Sequence, residues 1–278
     1  GVGLVSSLGT GVEKTWEALL KGETGIKLIE SFDTEDLAVK MAGVVDDFNP
    51  EDFGIDKKEL KKLARFSQFG IAASKMALDD SGLIIDENNA ERIGVIVSSG
   101  IGGLDVFEEQ HVNLVDKGAK RVSAFTIPAM IANMSSGNIS IYLGAKGPNK
   151  TIVTACAAGT HSVGDAFELI KHGRADAMVA GGTEACISKF CVAGFNNMTA
   201  LSRNSENYKK SSRPFTIDRD GFVMGEGAGV VILEEYESAK ARGAKIYAEM
   251  VGYGETGDAH HMTAPASGER AGAVRAIK

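Results

Sequence analysis

The chain has 278 residues, of which 44% are hydrophobic and 24% are charged, and its formal net charge is −7. This composition is typical of a globular protein with a sizeable core and excludes a disordered chain. The acidic balance disfavours general nucleic-acid binding, because attraction to polyphosphate needs a basic face. The 34 glycines and five prolines are spread along the chain, so we expect many tight turns and no internal linker.

Cysteine usage and hydropathy indicate the compartment. The sequence contains three cysteines, an odd and sparse count that is typical of a reducing environment. It has no N-terminal apolar leader, and no apolar run approaches the roughly 20 residues that span a bilayer. We therefore expect a cytoplasmic protein that does not enter a membrane.

Helical and strand patterns alternate along the chain. Apolar residues recur at helical spacing over 63–77, and 80–82 predicts the end of that helix. A second helix is predicted over 235–242, ending at Gly243. Short apolar runs predict strands that are buried on both faces of a sheet; they lie at 94–99, 151–155, 177–180, 230–233 and 248–251. This alternation predicts a layered α/β architecture.

Cys156 is the strongest candidate for a reactive residue. It follows a predicted strand and precedes a helical pattern marked by Val163, Ala166, Phe167 and Ile170. A cysteine at a helix N-terminus is favoured as a thiolate and hence as a nucleophile. Its small neighbours at 155–159 predict space for a substrate. The alternative is a buried cysteine that acts as a small hydrophobe.

Other candidate sites are weaker. Cys186 and Cys191 lack the companion ligands of a zinc site. The glycine-rich stretches at 99–104 and 224–229 lack the spacing of a dinucleotide fingerprint and the lysine of a phosphate-binding loop. His161, five positions after Cys156, lies on the following predicted helix, where its ring need not face the sulfur, and His260 and His261 form a loop pair that could line a site. The five histidines therefore mark no catalytic base.

Five motifs, in this order, resemble the β-ketoacyl-ACP synthase II family, the elongating condensing enzymes of dissociated fatty acid synthesis. They are TACAAG at 154–159, AGGTE at 180–184, SRPF at 212–215, DGFVMGEGAG at 220–229 and RGAKIY at 242–247. The resemblance covers essentially the whole chain and about two thirds of the family's length. It implies a thiolase-like layered αβαβα fold built from two similar halves. This chain would supply the first half and the start of the second.

The resemblance also sets expectations about the ends of the chain. Residues 1–278 would form the N-terminal ketosynthase region, without the family's first strand. The family's two catalytic histidines and its lysine would lie beyond Lys278. The truncated chain alone is therefore expected to be inactive in condensation.

The chemistry implied by the resemblance centres on Cys156. This residue would take an acyl group from acyl carrier protein, and a decarboxylated malonyl thioester would then attack the acyl-enzyme. Backbone N–H groups, including that of Cys156, would stabilise each oxyanion. The substrate-binding positions implied by the family are Ile101, Leu104, Ala193 and Phe195 in the acyl pocket, Thr126 and Ile127 towards a partner subunit, and His261 near the site. No metal or other cofactor is expected.

Two partners are implied, namely acyl carrier protein and a second copy of the chain. The family's docking patches for the acidic carrier protein match Lys58, Lys61, Lys62, Lys120 and Arg121, although a solvated charged face explains these residues equally well. The apolar segment 123–134 predicts a homodimer interface.

Two other classes of protein stay open. A chain-length-factor-like, non-catalytic partner subunit would normally have replaced the cysteine. A thiolase or an initiating synthase that acts on coenzyme A esters would share the fold and the nucleophile. The motif at 220–229 fits the elongating group better than these.

Overall fold

The computed structural model describes residues 1–269 and 271–278, which contain a five-stranded mixed sheet and a two-stranded sheet. The strands are β1 (Val2–Ser6), β2 (Gly9–Thr10), β3 (Ile26–Leu28), β4 (Met41–Gly43), β5 (Ile93–Ser98), β6 (Ala177–Glu184) and β7 (Gly227–Glu234). The helices are α1 (Val12–Leu20), α2 (Arg65–Ser81), α3 (Leu104–Lys117), α4 (Thr126–Met130), α5 (Met134–Leu143), α6 (Ala158–Lys171), α7 (Lys189–Asn197), α8 (Tyr236–Ala241) and α9 (Gly272–Ile277).

The five-stranded sheet separates two layers of helices. Its strand order is β2-β1-β7-β6-β5, with β5 and β6 parallel and the other pairs antiparallel. Helices α2 and α5 pack on one face, and α6 packs on the other face against β5, β6 and β7. The layered α/β architecture predicted from the sequence is therefore confirmed.

Strands β5, β6 and β7 pack side chains into the cores on both faces of the sheet. Along β6, Val179 packs into the large core on the α2 side, whereas Met178 packs into the core beneath α6. Along β7, Val230 and Val231 divide in the same way. Successive side chains of a strand point to opposite faces, so strands covered on both sides read as continuous apolar runs. The strand predictions at 94–99, 177–180 and 230–233 are confirmed.

The predicted helix boundaries are also confirmed. Helix α2 ends at Gly82, which adopts a left-handed conformation with φ 62°, and α8 ends just before Gly243, which has φ 69°. Glycine reaches this region without the penalty imposed by a Cβ atom. None of the helices in the described part of the chain is both long and apolar enough to cross a membrane.

The structure contains a strand at the start of the chain, β1, that the sequence patterns did not predict. Strand β1 pairs antiparallel with β7, and Gly3 lies opposite Val230. A Cβ atom on Gly3 would lie 1.9 Å from the carbonyl oxygen of Ala73 in α2. Glycine therefore allows the helix to contact the strand backbone. Glycine has low strand propensity. The glycine that this close packing requires therefore makes β1 hard to recognise from the sequence.

The predicted strand at 151–155 does not form. The chain runs beside β5 over 147–150, where the Gly147 N–H donates to Ile93 and a bridge joins Val95 to Asn149. Beyond that bridge, the Ile152 N–H donates to the Ser98 hydroxyl over 2.9 Å. A side chain has thus replaced the ladder of backbone bonds. The segment is extended, as its β-branched residues favour, but it is not a strand of the sheet.

The predicted strand at 248–251 is also absent. Strand β7 lies between β1 and β6, so both of its edges are already paired when the chain leaves α8. The residues that follow α8 therefore cross the molecule without joining this sheet. An apolar run indicates that a segment can form a strand. Whether it joins a sheet depends on whether the tertiary structure places it beside an unpaired strand edge.

Candidate active site

The nucleophile candidate lies on a strained turn. Cys156 is exposed and occupies a 3-10 turn, Ala155–Ala157, that leads directly into α6. Ala155 has φ 50°, a conformation that L residues seldom adopt. The predicted position at the N-terminal end of a helix is confirmed, and the alternative of a buried cysteine is wrong. The turn presents the thiol near the free N–H groups at the start of α6.

Buried hydroxyl groups fix the segments on either side of this turn. The Ser98 hydroxyl accepts from Ile152 on the incoming segment, and its Oγ lies 2.5 Å from the Oγ of Ser162 on α6. Ser98 and Ser162 are both at most 1% exposed. A hydrogen bond in such a site is strong because water does not compete for it. The end of β5 therefore holds the incoming segment and α6 together.

His161 helps to join the same two segments. Its Nδ1 lies 2.7 Å from the Thr154 Oγ1. The described contact of the ring is thus with the chain that precedes Cys156. This hydrogen bond gives His161 a structural role.

Small residues after Cys156 also have a packing role. A Cβ atom on Gly182 of β6 would lie 3.1 Å from the Cα of Gly159 on α6. The first turn of α6 therefore packs closely on β6 through two facing glycines. The small residues at 155–159 were expected to leave space for a substrate, but Gly159 instead allows contact between backbones.

A partly buried carboxylate organises the loop after β5. Glu184 Oε1 accepts from the Ser99 hydroxyl and Oε2 accepts from the Gly100 N–H, each over 2.8 Å. The Ser99 Oγ in turn accepts from the Gly102 N–H over 2.7 Å. Burial raises the pKa of the Glu184 carboxyl above its usual range. The amides of this glycine-rich loop are therefore used within the protein, consistent with the expectation that they do not hold a phosphate.

The same loop touches the nucleophile turn. A Cβ atom on Gly100 would lie 3.2 Å from the Cα of Ala155. The next residue, Ile101, is 39% exposed. The structure thus places a predicted acyl-pocket residue next to the turn that carries Cys156.

Three of the predicted acyl-pocket residues pack together. Leu104, Ala193 and Phe195 are partly buried against one apolar cluster beneath the small sheet. Phe195 meets Phe222 edge to face, with ring centroids 5.5 Å apart. Leu104 begins α3 immediately after the loop held by Glu184, so this loop leads from the nucleophile turn to the apolar cluster.

The remaining predicted substrate residues lie elsewhere. Thr126 and Ile127 begin α4, which packs against α3 and α5, and Ile127 is exposed. His261 lies on an exposed loop, where its Nδ1 accepts from the backbone N–H groups of Thr263 and Ala264. The described contacts of His261 are all within its own loop.

The five basic residues form two groups on the surface. Lys58, Lys61 and Lys62 lie in or beside the turn Leu60–Lys62, and Lys120 and Arg121 lie in the turn Ala119–Arg121. Lys62 Nζ lies 2.8 Å from an oxygen of Glu59 and 5.7 Å from the centroid of the Phe125 ring. Phe125 follows Arg121 by four residues, so its contact with Lys62 links the group at 58–62 to the group at 120–121.

Cys186 and Cys191 differ from Cys156 in both burial and chemistry. Both side chains are buried. A hydrogen bond to Cys191, together with burial, raises the pKa of the Cys186 thiol. The same hydrogen bond lowers the pKa of the Cys191 thiol. Because burial withholds both side chains from solvent and reagents, they act as part of the apolar cluster.

Sequence reasoning did not single out Glu184 or Ser98 as site residues. The available signal was a carboxylate at the end of a buried apolar run, where an ionised group needs partners. The identity of those partners depends on β5 and β6 lying side by side, with Ser98 opposite Gly182.

Comparison with known proteins gives one consistent family. Residues 1–239 match the family described as "Beta-ketoacyl synthase, N-terminal domain". The chain is 52% identical over 278 residues to the 3-oxoacyl-[acyl-carrier-protein] synthase 2 of Staphylococcus aureus, covering 100% of this chain and 68% of that protein. It spans about two thirds of the length of the curated relatives it matches.

Solved structures agree with this match. The ishigamide ketosynthase/chain length factor superposes with a TM-score of 0.87 at 36% identity, over 100% of this chain and 66% of that chain. A type II PKS acyl-carrier protein in complex with its ketosynthase, AntDE:AntF, gives 0.83 at 32% identity, over 95% and 64%. The layered fold implied by the motifs is confirmed by these structures.

Proposed function

This chain belongs to the β-ketoacyl synthase family, and from that premise we propose that the full-length protein is an elongating 3-oxoacyl-ACP synthase of fatty acid synthesis. The identity of 52% to an enzyme of that name extends over every residue of the chain. Residues 1–278 would be its N-terminal region. The residues that complete the condensation would lie in the third of the relatives' length that this chain does not cover.

One observation carries the proposal, namely the exposed Cys156 on its strained turn at the start of α6. In the first step the Cys156 thiolate attacks the carbonyl carbon of the acyl thioester on the carrier protein. The tetrahedral oxyanion accepts hydrogen bonds from backbone N–H groups. It then collapses, the carrier's thiolate leaves and takes up a proton, and the acyl group stays on Cys156.

The second step forms the new carbon–carbon bond. A malonyl thioester on another carrier protein loses CO₂, and the resulting carbanion attacks the acyl carbonyl on Cys156. The sulfur of Cys156 leaves as a thiolate, which restores the enzyme, and the product stays on the carrier. Loss of CO₂ makes the carbanion without a strong base.

The intact cysteine favours this proposal over a chain-length-factor-like subunit. Such a subunit needs no nucleophile, whereas this chain keeps an exposed cysteine on a turn held by a buried network. The curated relatives are named for acyl-carrier-protein substrates. This favours carrier-protein thioesters over coenzyme A esters.

Substrate contacts follow from the positions described above. We assign acyl-chain contacts to Ile101, Leu104, Ala193 and Phe195, because the loop after β5 connects the nucleophile turn to their cluster. Thr126 and Ile127 would reach the pocket of a second subunit, and His261 would approach the site in the full-length protein.

The docking surface for acyl carrier protein would be the basic patch formed by Lys58, Lys61, Lys62, Lys120 and Arg121. A related ketosynthase has been solved in complex with its acyl-carrier protein. A local positive patch can steer an acidic partner to a protein that is acidic overall.

A homodimer would cover apolar surface around α4. Phe125, Ile127 and Ile131 are exposed there, although each is a large apolar side chain. An exposed apolar group of this kind marks an interaction surface. Light scattering on the full-length protein is expected to give a dimer mass, and Ile127→Asp is expected to give monomer. A stable monomer from the unmodified protein would refute this interface. The proposed enzyme would act in the cytoplasm.

Acylation of Cys156 tests the proposed function. The full-length protein is mixed with acyl carrier protein that carries a twelve-carbon acyl group, and its intact mass is followed. We expect one acyl group, mapped to Cys156, and no acylation in Cys156→Ala. The same acyl group on coenzyme A should react more slowly. Acylation of the Cys156→Ala variant at the wild-type rate would overturn the assignment.

A further inference from the structure

The short loop after β5 is held by an unusually large number of side-chain hydrogen bonds. Both oxygens of Glu184 are engaged, one directly by the Gly100 N–H and one by the Ser99 hydroxyl, which also accepts from the Gly102 N–H. The carboxylate therefore fixes two amides of a three-residue stretch. An ionised carboxylate only accepts hydrogen bonds, which matches the donors around it.

These hydrogen bonds join residues that are far apart in the sequence. Glu184 ends β6, and Gly100 precedes it by 84 residues. The carboxylate joins the ends of the two parallel strands, because Ser98 lies opposite Gly182 in that pair. The glycine-rich loop after β5 is in this way attached to the sheet.

The position of the loop matters for the acyl group. On one side, Gly100 leaves no space for a side chain against Ala155 of the nucleophile turn. On the other side, the loop leads to Leu104, which packs against the apolar cluster. If the loop shifts, the path from the Cys156 sulfur to that cluster changes while the sulfur itself stays in place.

We propose that Glu184 is a positioning residue that holds the 99–102 loop against the nucleophile turn and thereby governs the transfer of long acyl chains to Cys156. This inference rests on the proposed function and adds to it a residue that touches neither the sulfur nor the substrate. A two-carbon acyl group extends little beyond the Cys156 sulfur. Its transfer therefore depends little on the loop.

Glu184→Gln in the full-length protein is the primary test. Glutamine has the same shape, but its amide offers one acceptor oxygen and adds two donors, so it cannot satisfy both the Ser99 hydroxyl and the Gly100 N–H. Single-turnover acylation is measured with acyl carrier protein carrying either a twelve-carbon or a two-carbon acyl group. We expect the long-chain rate to fall about 10-fold to 100-fold and the short-chain rate by less than about threefold.

Two controls separate positioning from a general structural role. Iodoacetamide needs no acyl pocket, so it should modify Cys156 in the variant at nearly the wild-type rate. Glu91→Gln changes an exposed carboxylate and should leave both acylation rates unchanged. Equal losses for the two acyl chains, or no loss for either, would overturn the proposal.

Ser99→Ala provides an independent variant if Glu184→Gln folds poorly. It removes the link to the Gly102 N–H and leaves the bond between Glu184 and Gly100. We expect the same preference for short chains, with a smaller loss. The double variant should lose less than the product of the two single losses, because both side chains act on one loop. Failure of the wild-type protein to accept any acyl group would instead refute the proposed function.

Discussion

The surroundings of Cys156 and the segment 245–269 satisfy their polar groups in opposite ways. Near Cys156, buried or partly buried side chains from distant elements bind the backbone, as Ser98 binds Ile152 and Glu184 binds Gly100. In 245–269 most of the side-chain hydrogen bonds are exposed, such as the one from Ala264 to His261. One region is held by hydrogen bonds shielded from water, and the other mostly by hydrogen bonds open to water.

The difference shows where positional precision comes from. A buried hydrogen bond costs the full desolvation penalty when one partner is lost, whereas an exposed bond is replaced by water. The turn that carries Cys156 should therefore open only with much of the domain, while 245–269 should open locally. The following predictions test this contrast, from the largest expected effect to the smallest.

Thiol reactivity should show the largest effect. Iodoacetamide at neutral pH should modify Cys156 at least about 100-fold faster than Cys186 or Cys191, because the two buried thiols react only when the structure opens locally. Peptide mapping over a time course measures the three rates. Similar rates at Cys156 and Cys186 would show that the apolar cluster is as open as the turn.

Loss of one buried hydroxyl should destabilise the fold. Ser98→Ala leaves the Ile152 N–H without its partner, so we expect the free energy of unfolding to fall by about 1–3 kcal/mol. Ser267→Ala, in the exposed segment, should change it by less than about 0.5 kcal/mol. Urea denaturation of both variants measures the difference. Equal effects would remove the contrast between the two regions.

Surface charge should affect association and leave the fold intact. Lys61→Glu combined with Lys62→Glu should raise the KM for acyl carrier protein about 10-fold at low salt, with kcat little changed. The effect should shrink as the Debye length falls from about 10 Å at 0.1 M salt to about 3 Å at 1 M. Modification of Cys156 by iodoacetamide should not change. A KM that stays constant across the salt series would place docking elsewhere.

The partly buried carboxylate should give the smallest effect, which depends on pH. The pKa of Glu184 is raised by burial, so the stability linked to its protonated form is fully present below its unfolded pKa and is lost as pH rises through its folded pKa. The unfolding midpoint of the wild-type protein should therefore fall relative to that of Glu184→Gln between pH 4 and pH 8. An unchanged difference in midpoints would argue against a raised pKa.

Predictions from the sequence succeeded where a signal is local. Strands β5, β6 and β7, the ends of two helices at Gly82 and Gly243, and the position of Cys156 all follow from residue patterns within a few positions. Predictions failed where pairing depends on a partner elsewhere. The apolar run at 248–251 follows β7, both of whose edges are already paired, and β1 was hidden by the glycines that its contact with α2 requires.

The sequence by itself determined the α/β class, the family motifs and the candidate nucleophile, because periodicity, turn residues and a cysteine before a helix are properties of contiguous residues. Only the tertiary structure decided that Ser98 replaces a strand ladder beside Cys156 and that Glu184 holds the loop before Leu104. These contacts join residues 54 and 84 positions apart. The composition of either segment does not specify its partner, because which polar group meets which is set by the order and register of β5 and β6.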